Sequence, residues 1–366
     1  MKKDPKKNLL DHSAAKVRLL EKYLQKYLAI IVNDGFTQKI FIFDLFCGEG
    51  LYENNAQGSP LVILRVVKDL FFINKAANKK MCPVEIIFND EDVEKINKLE
   101  TTVTNKKLFL KEIGRLKFHK LSYANILPQV QKFLKTLKKH KAFIFIDPYG
   151  YRDIRASHIK EILDTKKAEV LLFLPTQFMY RFDEKGTPQA LIEIIKELVD
   201  YEKWVPSSSV FSFIEQFTMA LREYLGKDSF VDTFTIQKDA NTVFCLFFFS
   251  THIRGFEKML ESKWELDEEE GRGFTFEKTG NLFANQKFTE FEIKLLDYLK
   301  NFRSNSEIYF FTLSNGFLPK HVNEYLKKLE SEEKIESESQ KRKNAFYISY
   351  ENYRDNPEKI KIKLVK

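Results

Sequence analysis

Cysteine is scarce in this chain, and the few cysteines that occur lie far apart. Cys47, Cys82 and Cys245 are the only ones among 366 residues, and none belongs to a C-x-x-C pair. Zinc knuckles and iron–sulfur sites need closely spaced cysteines, so we predict no metal site. An odd number of cysteines, with no signal peptide ahead of Lys2 and Lys3, indicates a protein of the reducing cytoplasm.

Long apolar runs are absent as well. The longest, such as VFCLFFFS at 243–250, fall far short of the ~20 residues that span a bilayer, so no membrane partner is expected. Hydrophobic residues nevertheless make up 43% of the chain, which is enough for a full core. A chain of 366 residues can hold one large domain and a small one.

Positive charge exceeds negative charge by a moderate margin. The formal net charge is +8, and lysine-rich runs occur at the amino terminus, at 132–141 and at 341–343. Such runs often form solvated faces, so they permit a polyanionic partner without requiring one. Their joint presence makes nucleic acid a candidate partner.

The stretch FIFDLFCGEG at 41–50 is the most informative part of the sequence. An apolar strand ends on Asp44 and runs into a loop that contains Gly48 and Gly50, which predicts a ligand site at the carboxyl end of the strand. The position three after Gly50 is Glu53, so the loop is not the G-x-G-x-x-G fingerprint of nicotinamide and flavin enzymes. An ordinary strand-to-helix turn is the alternative interpretation.

A second strand at 84–88 ends in a cluster of polar residues. Asp90 is our first candidate to bind the hydroxyls of a ribose, because a carboxylate can accept hydrogen bonds from both, and Asp92 is the second. Either acid could instead cap the helix that follows.

The fourth strand, AFIFID at 142–147, has the nearly continuous apolar character of a strand buried on both faces. It ends on Asp147, which Pro148, Tyr149 and Gly150 follow. A purely structural turn could have this sequence. Two strand-terminal acids, Asp44 and Asp147, each followed by residues with special backbone preferences, nevertheless indicate a shared cleft.

Further apolar runs predict a sheet that alternates with amphipathic helices. We expect strands at 117–123, 169–174, 230–237 and 242–250, the last two as an antiparallel hairpin, and helices that include 13–33 and one beginning at GSP, 58–60. The expected fold is an α/β Rossmann-like sheet with helices on both faces, over residues 1–270.

The C-terminal part reads as a small winged-helix domain at 289–350, after a linker at 271–288 and before a basic tail at 351–366. A helix, a short segment with Gly316, a second helix and two strand-like runs, KIES and AFYISY, predict this arrangement. Such modules bind duplexes or dock proteins, and both possibilities stay open. The candidate nucleic-acid contacts lie at the start of the second helix and at the wing tip: Lys320, His321, Asn323, Lys341, Arg342 and Lys343.

The glycine loop resembles motif I of the Rossmann-like methyltransferases that bind S-adenosylmethionine. The resemblance implies that the loop curls under the methionine moiety and that Asp44 reaches its ammonium group. It also implies a cofactor site built from six residues: Asp44, Phe46, Gly48, Gly50, Asp90 and Asn125, the last of them at the adenine ring edge.

The D-P-Y-G segment resembles motif IV of the amino-group methyltransferases, usually D/N-P-P-aromatic. This implies that Asp147 and the carbonyl after it accept hydrogen bonds from an exocyclic amine, while Tyr149 stacks on the base. The missing second proline makes the segment equally similar to the D-P-F-G variant of tRNA guanine-N2 methyltransferases, which leaves the target base open. Arg181 would lie beside Asp147 and bind a phosphate or the cofactor carboxylate, or else form part of the surface.

Taken together, HSAAK, DLFCGEGLY, GSP, FND, FIDPYGY and GFLPKHVNEYLKKLE resemble the three-Cys-motif partner family of bacterial proteins. The resemblance implies a methyltransferase-like fold and a radical-S-adenosylmethionine-like partner protein. We therefore expect a methyltransferase that modifies a nucleobase amine in DNA or RNA; the alternative is a non-catalytic nucleic-acid-binding or specificity subunit of that complex. Cys47 is interpreted as a small turn residue, because the nucleophile of cysteine-based C5 methylation follows a proline, and here Tyr149 follows Pro148.

Overall fold

The fold is described by a computed structural model for residues 11–182, 188–239, 241–269, 271–275, 284–338 and 342–365. The chain divides into two compact units. The first lies within 1–258 and 272–276, and the second within 259–271 and 277–366.

An eight-stranded sheet organises the first unit. Its strands are β1 Lys39–Asp44, β2 Val84–Asn89, β3 Gly114–His119, β4 His140–Ile146, β5 Ala168–Leu174, β6 Phe230–Asp239, β7 Thr242–Ser250 and β8 Gly273–Thr275. The helices are α1 Asp11–Ile31, α2 Ser59–Ala76, α3 Val93–Asn105, α4 Tyr123–Thr136, α5 Ala156–Asp164, α6 Thr176–Arg181, α7 Gln189–Leu198, α8 Val210–Leu225 and α9 Ile253–Leu266, the last containing the boundary between the units.

The strand order is β3-β2-β1-β4-β5-β7-β6-β8. Strands β1 to β5 are parallel, and β7 is antiparallel to both β5 and β6. The chain order reverses between β1 and β4, and open α/β sheets bind ligands at the carboxyl ends of the strands at such a switch point. The α/β Rossmann-like fold and the hairpin that closes its sheet are confirmed.

Helices pack on both faces of the sheet. On one face, Phe41 and Ile144 belong to a core cluster that includes side chains of α4, α5, α7 and α8. On the other face, the ring of Tyr23 in α1 lies 5.7 Å from Phe143 and 4.8 Å from Phe248. The central strands are therefore buried on both sides, which accounts for their apolar runs.

The third strand lies earlier in the sequence than predicted. It occupies Gly114–His119 rather than 117–123, and Tyr123 already belongs to α4. Gly114 allows close approach to β2, since a Cβ atom there would lie 2.1 Å from the Val84 carbonyl oxygen. The strand is half exposed at the sheet edge, so its apolar signal is weak.

The second unit differs in detail from the predicted winged helix. Residues 303–317, expected to be a short segment, contain a helix that the Ser304–Glu307 capping box begins. AFYISY is not a strand, because Ser349 caps a helix; β10 pairs instead with residues of the expected tail. The elements are α10 Ala284–Tyr298, β9 Arg303–Ser304, α11 Asn305–Ser314, α12 Pro319–Ser331, β10 Ile335–Ser337, α13 Tyr350–Asp355 and β11 Lys361–Leu364, with a β10-β11-β9 sheet.

The expected linker is likewise not a linker throughout, since β8 within it joins the first sheet and α10 begins at Ala284. Within the described residues, no helix combines the length and apolar character that crossing a membrane requires. The same residues contain no cluster of three or more His, Cys, Asp or Glu side chains suited to a metal ion.

Candidate cofactor and acceptor site

The two strand-terminal acids lie together at the carboxyl edge of the sheet. Asp44 is paired with Phe145 on the neighbouring parallel strand, so their side chains share a face. Asp147 follows Phe145 by two positions, and the alternation of side chains along the strand places it on that face as well. The charge of Asp147 accordingly contributes to raising the pKa of Asp44.

Asp44 is a buried carboxyl group whose oxygens have no hydrogen-bond partner among the described residues. It is fully buried, and no group in the described part of the chain makes a hydrogen bond of normal geometry to either of its oxygens. Burial, together with the charges of Asp147 and Asp90, raises its pKa to about 7, although nearby Ser59 and the Phe46 backbone oppose part of the rise. An unpaired buried carboxylate is costly, so this group is suited to a cationic or hydrogen-bond-donating ligand.

The glycine loop adjoins this carboxyl group. Gly48 and Gly50 have φ angles of 63° and 78°, which side chains other than glycine rarely adopt. A Cβ atom at Gly48 would meet no other atom within 4 Å, whereas one at Gly50 would lie 2.6 Å from Leu99 Cδ1. The loop therefore packs against α3 at Gly50 and faces open space at Gly48, as a cradle for a ligand requires.

Asp90 holds the glycine loop in place. Its Oδ2 accepts a hydrogen bond from the Gly48 amide at 2.9 Å, and its Oδ1 accepts one from the Asp92 amide at 3.0 Å. Each carboxylate oxygen keeps a further lone pair, so these bonds leave capacity for a ribose hydroxyl. Asp92 itself caps α3 by accepting from the amides of Glu94 and Lys95, which is the alternative role considered for it.

Asn89 is a site residue that sequence reasoning missed. Its amide group donates to the carbonyls of Leu45 at 3.1 Å and Leu121 at 2.9 Å, and its oxygen accepts from the Leu121 amide at 3.1 Å. It thus ties together the segments that follow β1 and β3. The only signal in the sequence was an amide beside an acid at the end of a strand.

Two neighbours of the loop have structural roles. The Phe46 ring stacks on Tyr123 with centroids 5.3 Å apart. Burial raises the pKa of the Cys47 thiol well above its ordinary value, and the charges of Asp44 and Asp90 add to this effect. A thiol of this kind is a poor nucleophile, which favours the turn role for Cys47. Asn125 is exposed in the first turn of α4.

Asp147 is held by a lysine that sequence reasoning also missed. Lys16 Nζ donates to Asp147 Oδ2 at 2.5 Å, and the two side chains are only 12% and 19% exposed. The same ammonium group lies 4.3 Å from the centre of the Phe173 ring. Pro148, next in the chain, is buried.

Two tyrosines flank Asp147. Tyr149 is 76% exposed, and its hydroxyl oxygen accepts from Lys95 Nζ at 2.6 Å. Burial raises the pKa of the Tyr52 phenol, and the charges of Asp147, Tyr149 and Asp44 add to this effect, so Tyr52 lies among them. Its position two residues after Gly50 was the only signal for this second aromatic side chain.

Arg181 lies on the surface at the end of α6. Its guanidinium group donates to the Asn241 carbonyl at 3.2 Å and lies 5.9 Å from the Phe178 ring centre. These contacts place Arg181 on the hairpin side of the sheet edge, at the surface.

In the second unit, the candidate contacts differ in accessibility. Lys320 is exposed on α12, but His321 packs 4.3 Å from Trp264 and its Nδ1 accepts from the Leu318 amide. Burial, then the charges of Lys320 and Lys287, lower the pKa of His321 to about 4. Its expected place on the recognition surface is therefore corrected to a capping role inside the domain.

The remaining candidate nucleic-acid contacts also differ in accessibility, since one is bonded within the domain and two are exposed. Asn323 donates to the carbonyls of Pro319 at 2.7 Å and Ile348 at 3.4 Å, so it fastens the segment before α13. Arg342 and Lys343 are exposed between β10 and α13, not at the tip of a hairpin. Lys341 lies outside the described residues.

A family model for the GMT-like winged helix-turn-helix domain matches residues 263–342. The C-terminal part of the chain is thus a winged-helix domain. No curated protein shows significant sequence similarity to the chain.

Solved methyltransferase structures resemble part of this chain at low identity. The methyltransferase domain of bacterial CtHen1-C is 14% identical, with 63% of this chain and 98% of that chain covered and a TM-score of 0.32. The bifunctional kinase-methyltransferase WbdD is 12% identical, with 65% of this chain and 39% of that chain covered and a TM-score of 0.34. The match thus spans about two fifths of WbdD. An S-adenosylmethionine-dependent methyltransferase from Methanosarcina mazei is 14% identical, with 60% of this chain and 96% of that chain covered and a TM-score of 0.27. Activity must therefore be argued from this chain's own residues.

Proposed function

We propose that this chain is an S-adenosylmethionine-dependent methyltransferase that modifies an exocyclic amine of a nucleobase in DNA or RNA. The observation that carries the proposal is the buried, unpartnered carboxyl group of Asp44, with Asp90 and Asp147 close to it at the switch point of the sheet. A buried carboxyl group that no cation among the described residues offsets attracts a cationic ligand. When bound, S-adenosylmethionine would supply a methyl group on a positively charged sulfur, together with an ammonium group for Asp44.

The residues present fit this cofactor. Asp44 would pair with the ammonium group, and the backbone of Gly48 and Gly50 would lie against the methionine moiety. Asp90 would accept from the ribose hydroxyls with the lone pairs that its bonds to the loop leave free. Phe46 and Asn125 would border the adenine ring.

The acceptor side needs only orientation and a place for a proton. Asp147 Oδ1 and the Pro148 carbonyl would accept from the amine, which aims the nitrogen lone pair away from them, and Tyr149 would stack on the base. The same carboxylate can receive the proton that the amine loses. Alignment of this kind lowers a barrier by up to roughly 7–11 kcal/mol without a covalent intermediate.

Nucleic acid would approach across the exposed cations. Arg181, Lys320, Arg342 and Lys343 would contact phosphates, with Lys341 beside them in the chain, and the winged-helix domain would supply this part of the binding. A duplex target would need its base flipped out before Asp147 could reach the amine.

The second candidate is a non-catalytic nucleic-acid-binding or specificity subunit, with a radical-S-adenosylmethionine-like three-Cys-motif protein as its partner. One observation favours it. Lys16 already occupies one oxygen of Asp147, and both oxygens of Asp90 bind backbone amides. Each of these two acids thus has a structural role that requires no ligand.

Two measurements separate the candidates. Calorimetry should show S-adenosylmethionine binding to the wild type and at least tenfold weaker binding to Asp44→Asn, with Asp69→Asn on the exposed side of α2 as control. Tritium transfer to DNA and RNA should be lost in Asp147→Ala. If the wild type does not bind S-adenosylmethionine at sub-millimolar concentration, the non-catalytic subunit is the better candidate. If the wild type and Asp147→Ala transfer equal amounts of tritium, Asp147 has no role in the mechanism.

A further inference from the structure

Helix α1 fixes a lysine in the acceptor site. Its Tyr27 hydroxyl donates to the Ala142 carbonyl at 3.1 Å, near the start of β4, and its Tyr23 hydroxyl donates to the buried Glu169 near the start of β5. Lys16, at the opposite end of the helix, reaches Asp147 just beyond the end of β4. The helix therefore runs antiparallel to β4, and its two tyrosines anchor the position from which Lys16 enters the site.

Among the described residues, the ammonium group of Lys16 has only one hydrogen-bond acceptor, so at least one of its donors is unused. Of its three N–H groups, one is directed to Asp147 Oδ2 at 2.5 Å. The charge also lies over the face of Phe173, 4.3 Å from the ring centre, which restricts how the group can turn. A further N–H thus remains for a hydrogen-bond acceptor of a ligand, beside Asp147 Oδ1, which accepts no hydrogen bond from the described residues.

Lys16 and Asp147 together present a donor and an acceptor side by side. Adenine and cytosine carry the complementary edge, since a ring nitrogen that accepts stands next to an amine that donates. Guanine presents that pair only on its N3 side, because N1 carries a proton, and in a nucleotide the sugar on the adjacent N9 blocks the approach of a lysine to N3. Uracil presents a carbonyl oxygen where cytosine has its amine, and Asp147 would repel it.

We propose that Lys16 is a specificity-determining residue that donates to the ring nitrogen beside the target amine while Asp147 accepts from the amine itself. The pair then selects the N=C–NH2 edge of adenine or cytosine. This inference rests on the proposed function and narrows the class of base that it leaves open. A base without the ring nitrogen would leave the partly buried ammonium group with an unused donor, which is how polar sites reject analogues.

The test uses single-stranded RNA and DNA oligonucleotides in which adenine, cytosine or guanine is the only base with an amine. In a second set, 1-deazaadenine replaces adenine and 3-deazacytosine replaces cytosine, so the amine stays and the ring nitrogen is lost. The variants are Lys16→Met, Lys16→Arg and, as a matched control, Arg18→Met, which removes a charge from the exposed side of the same helix.

The wild type and Arg18→Met should prefer the natural base to its deaza analogue by about ten- to a hundredfold in kcat/KM, as expected for one hydrogen bond from a charged donor. For Lys16→Met, kcat/KM on the natural base should fall by about the same ten- to hundredfold. This variant should then methylate the natural base and its deaza analogue with similar kcat/KM. Lys16→Arg should keep part of the preference. The dissociation constant for S-adenosylmethionine should change less than about twofold in all variants, since Asp44 is untouched.

Different failures have different meanings. A wild type that methylates only guanine, or that does not distinguish natural from deaza bases, overturns the role of Lys16 and leaves the methyltransferase proposal standing. The same holds if Lys16→Met still discriminates. If the wild type binds S-adenosylmethionine but methylates none of the oligonucleotides, the proposed function falls and the role of Lys16 with it. Should Lys16→Met not fold, the contrast between the wild type and Lys16→Arg decides.

Discussion

Alanine at the two loop glycines separates a folding role from a binding role. Gly48 and Gly50 both have positive φ angles, 63° and 78°. An alanine held in that region costs roughly 1–2 kcal/mol of stability at either position. The backbone penalty is therefore matched, and any further difference between Gly48→Ala and Gly50→Ala must come from what the new methyl group meets.

At Gly50 the methyl group meets the core. It would lie 2.6 Å from Leu99 Cδ1 and 3.2 Å from Pro60 Cγ, and Leu99 is fully buried, so it cannot move without opening its own packing. Overpacking of this kind costs about 1–3 kcal/mol more, which brings Gly50→Ala to a total of about 2–5 kcal/mol. At Gly48 nothing lies within 4 Å, so the loss of stability stays near the backbone value.

The order should reverse for cofactor binding. The methyl group of Gly48→Ala enters the open space in front of the loop, where we place the methionine moiety, so affinity for S-adenosylmethionine should fall more than tenfold. Scanning calorimetry should show Gly50→Ala melting several degrees below Gly48→Ala, because 1 kcal/mol shifts a domain of about 200 residues by about 2–4 °C. If Gly48→Ala binds the cofactor like the wild type, the cradle is misassigned. If the two variants melt together, the steric reasoning is wrong.

Three further outcomes follow from the titratable groups. The pKa of Asp44, about 7 against an ordinary 3.8, means that the folded protein holds a proton which the unfolded chain releases, so stability falls as pH rises through this range. Asp44→Asn should therefore stabilise the cofactor-free protein at pH 8 by up to about 4 kcal/mol and have little effect at pH 4, as measured by denaturant unfolding. Cys47→Ala should keep methyl transfer within about twofold, since the raised pKa of its thiol argues against a nucleophile. The pKa of His321, about 4 against 6.5, should make the C-terminal unit lose about 1–2 kcal/mol as pH falls from 6.5 to 4, a loss that His321→Gln should flatten in thermal melts.

The ends of the central strands could be predicted from the sequence because two local signals coincide there. Asp44 and Asp147 each terminate an apolar run and precede a glycine or proline. In a parallel sheet such ends meet at one edge, so local patterns were enough to bring the two acids together. Asn89 and Tyr52 had no such pattern, because their roles depend on loops that meet only in the folded chain.

The contact between Lys16 and Asp147 could not be predicted from the sequence for a related reason. The spacing of apolar residues shows which face of α1 is buried, but not where along the sheet the helix begins and ends. That placement is set by Tyr23 and Tyr27, whose hydrogen-bond partners lie more than a hundred residues away in the chain. A lysine at the edge of an amphipathic helix looks like a solvated residue until its partner is known.

The C-terminal unit shows the same limit in another form. AFYISY has strand-forming residues, yet Phe346 and Ile348 are buried without joining a sheet and Ser349 caps a helix. The actual partner of β10, Lys361–Leu364, has lysine at alternate positions and reads as a charged tail. His321 was assigned to the surface because its aromatic neighbour Trp264 is distant in the sequence.

Asp44 and Asp147, the two acids at the switch point, differ in whether a cation already offsets their charge. Asp147 is already offset by Lys16, so a neutral group can approach it without leaving a charge uncompensated. No cation among the described residues contacts the oxygens of Asp44, and burial raises the pKa of this carboxyl group to about 7. This difference is the one that the proposed function needs, with a positively charged donor beside Asp44 and an uncharged amine beside Asp147. Because the charge on Lys16 creates this asymmetry, its removal should leave the charge of Asp147 uncompensated and lower the discrimination between bases.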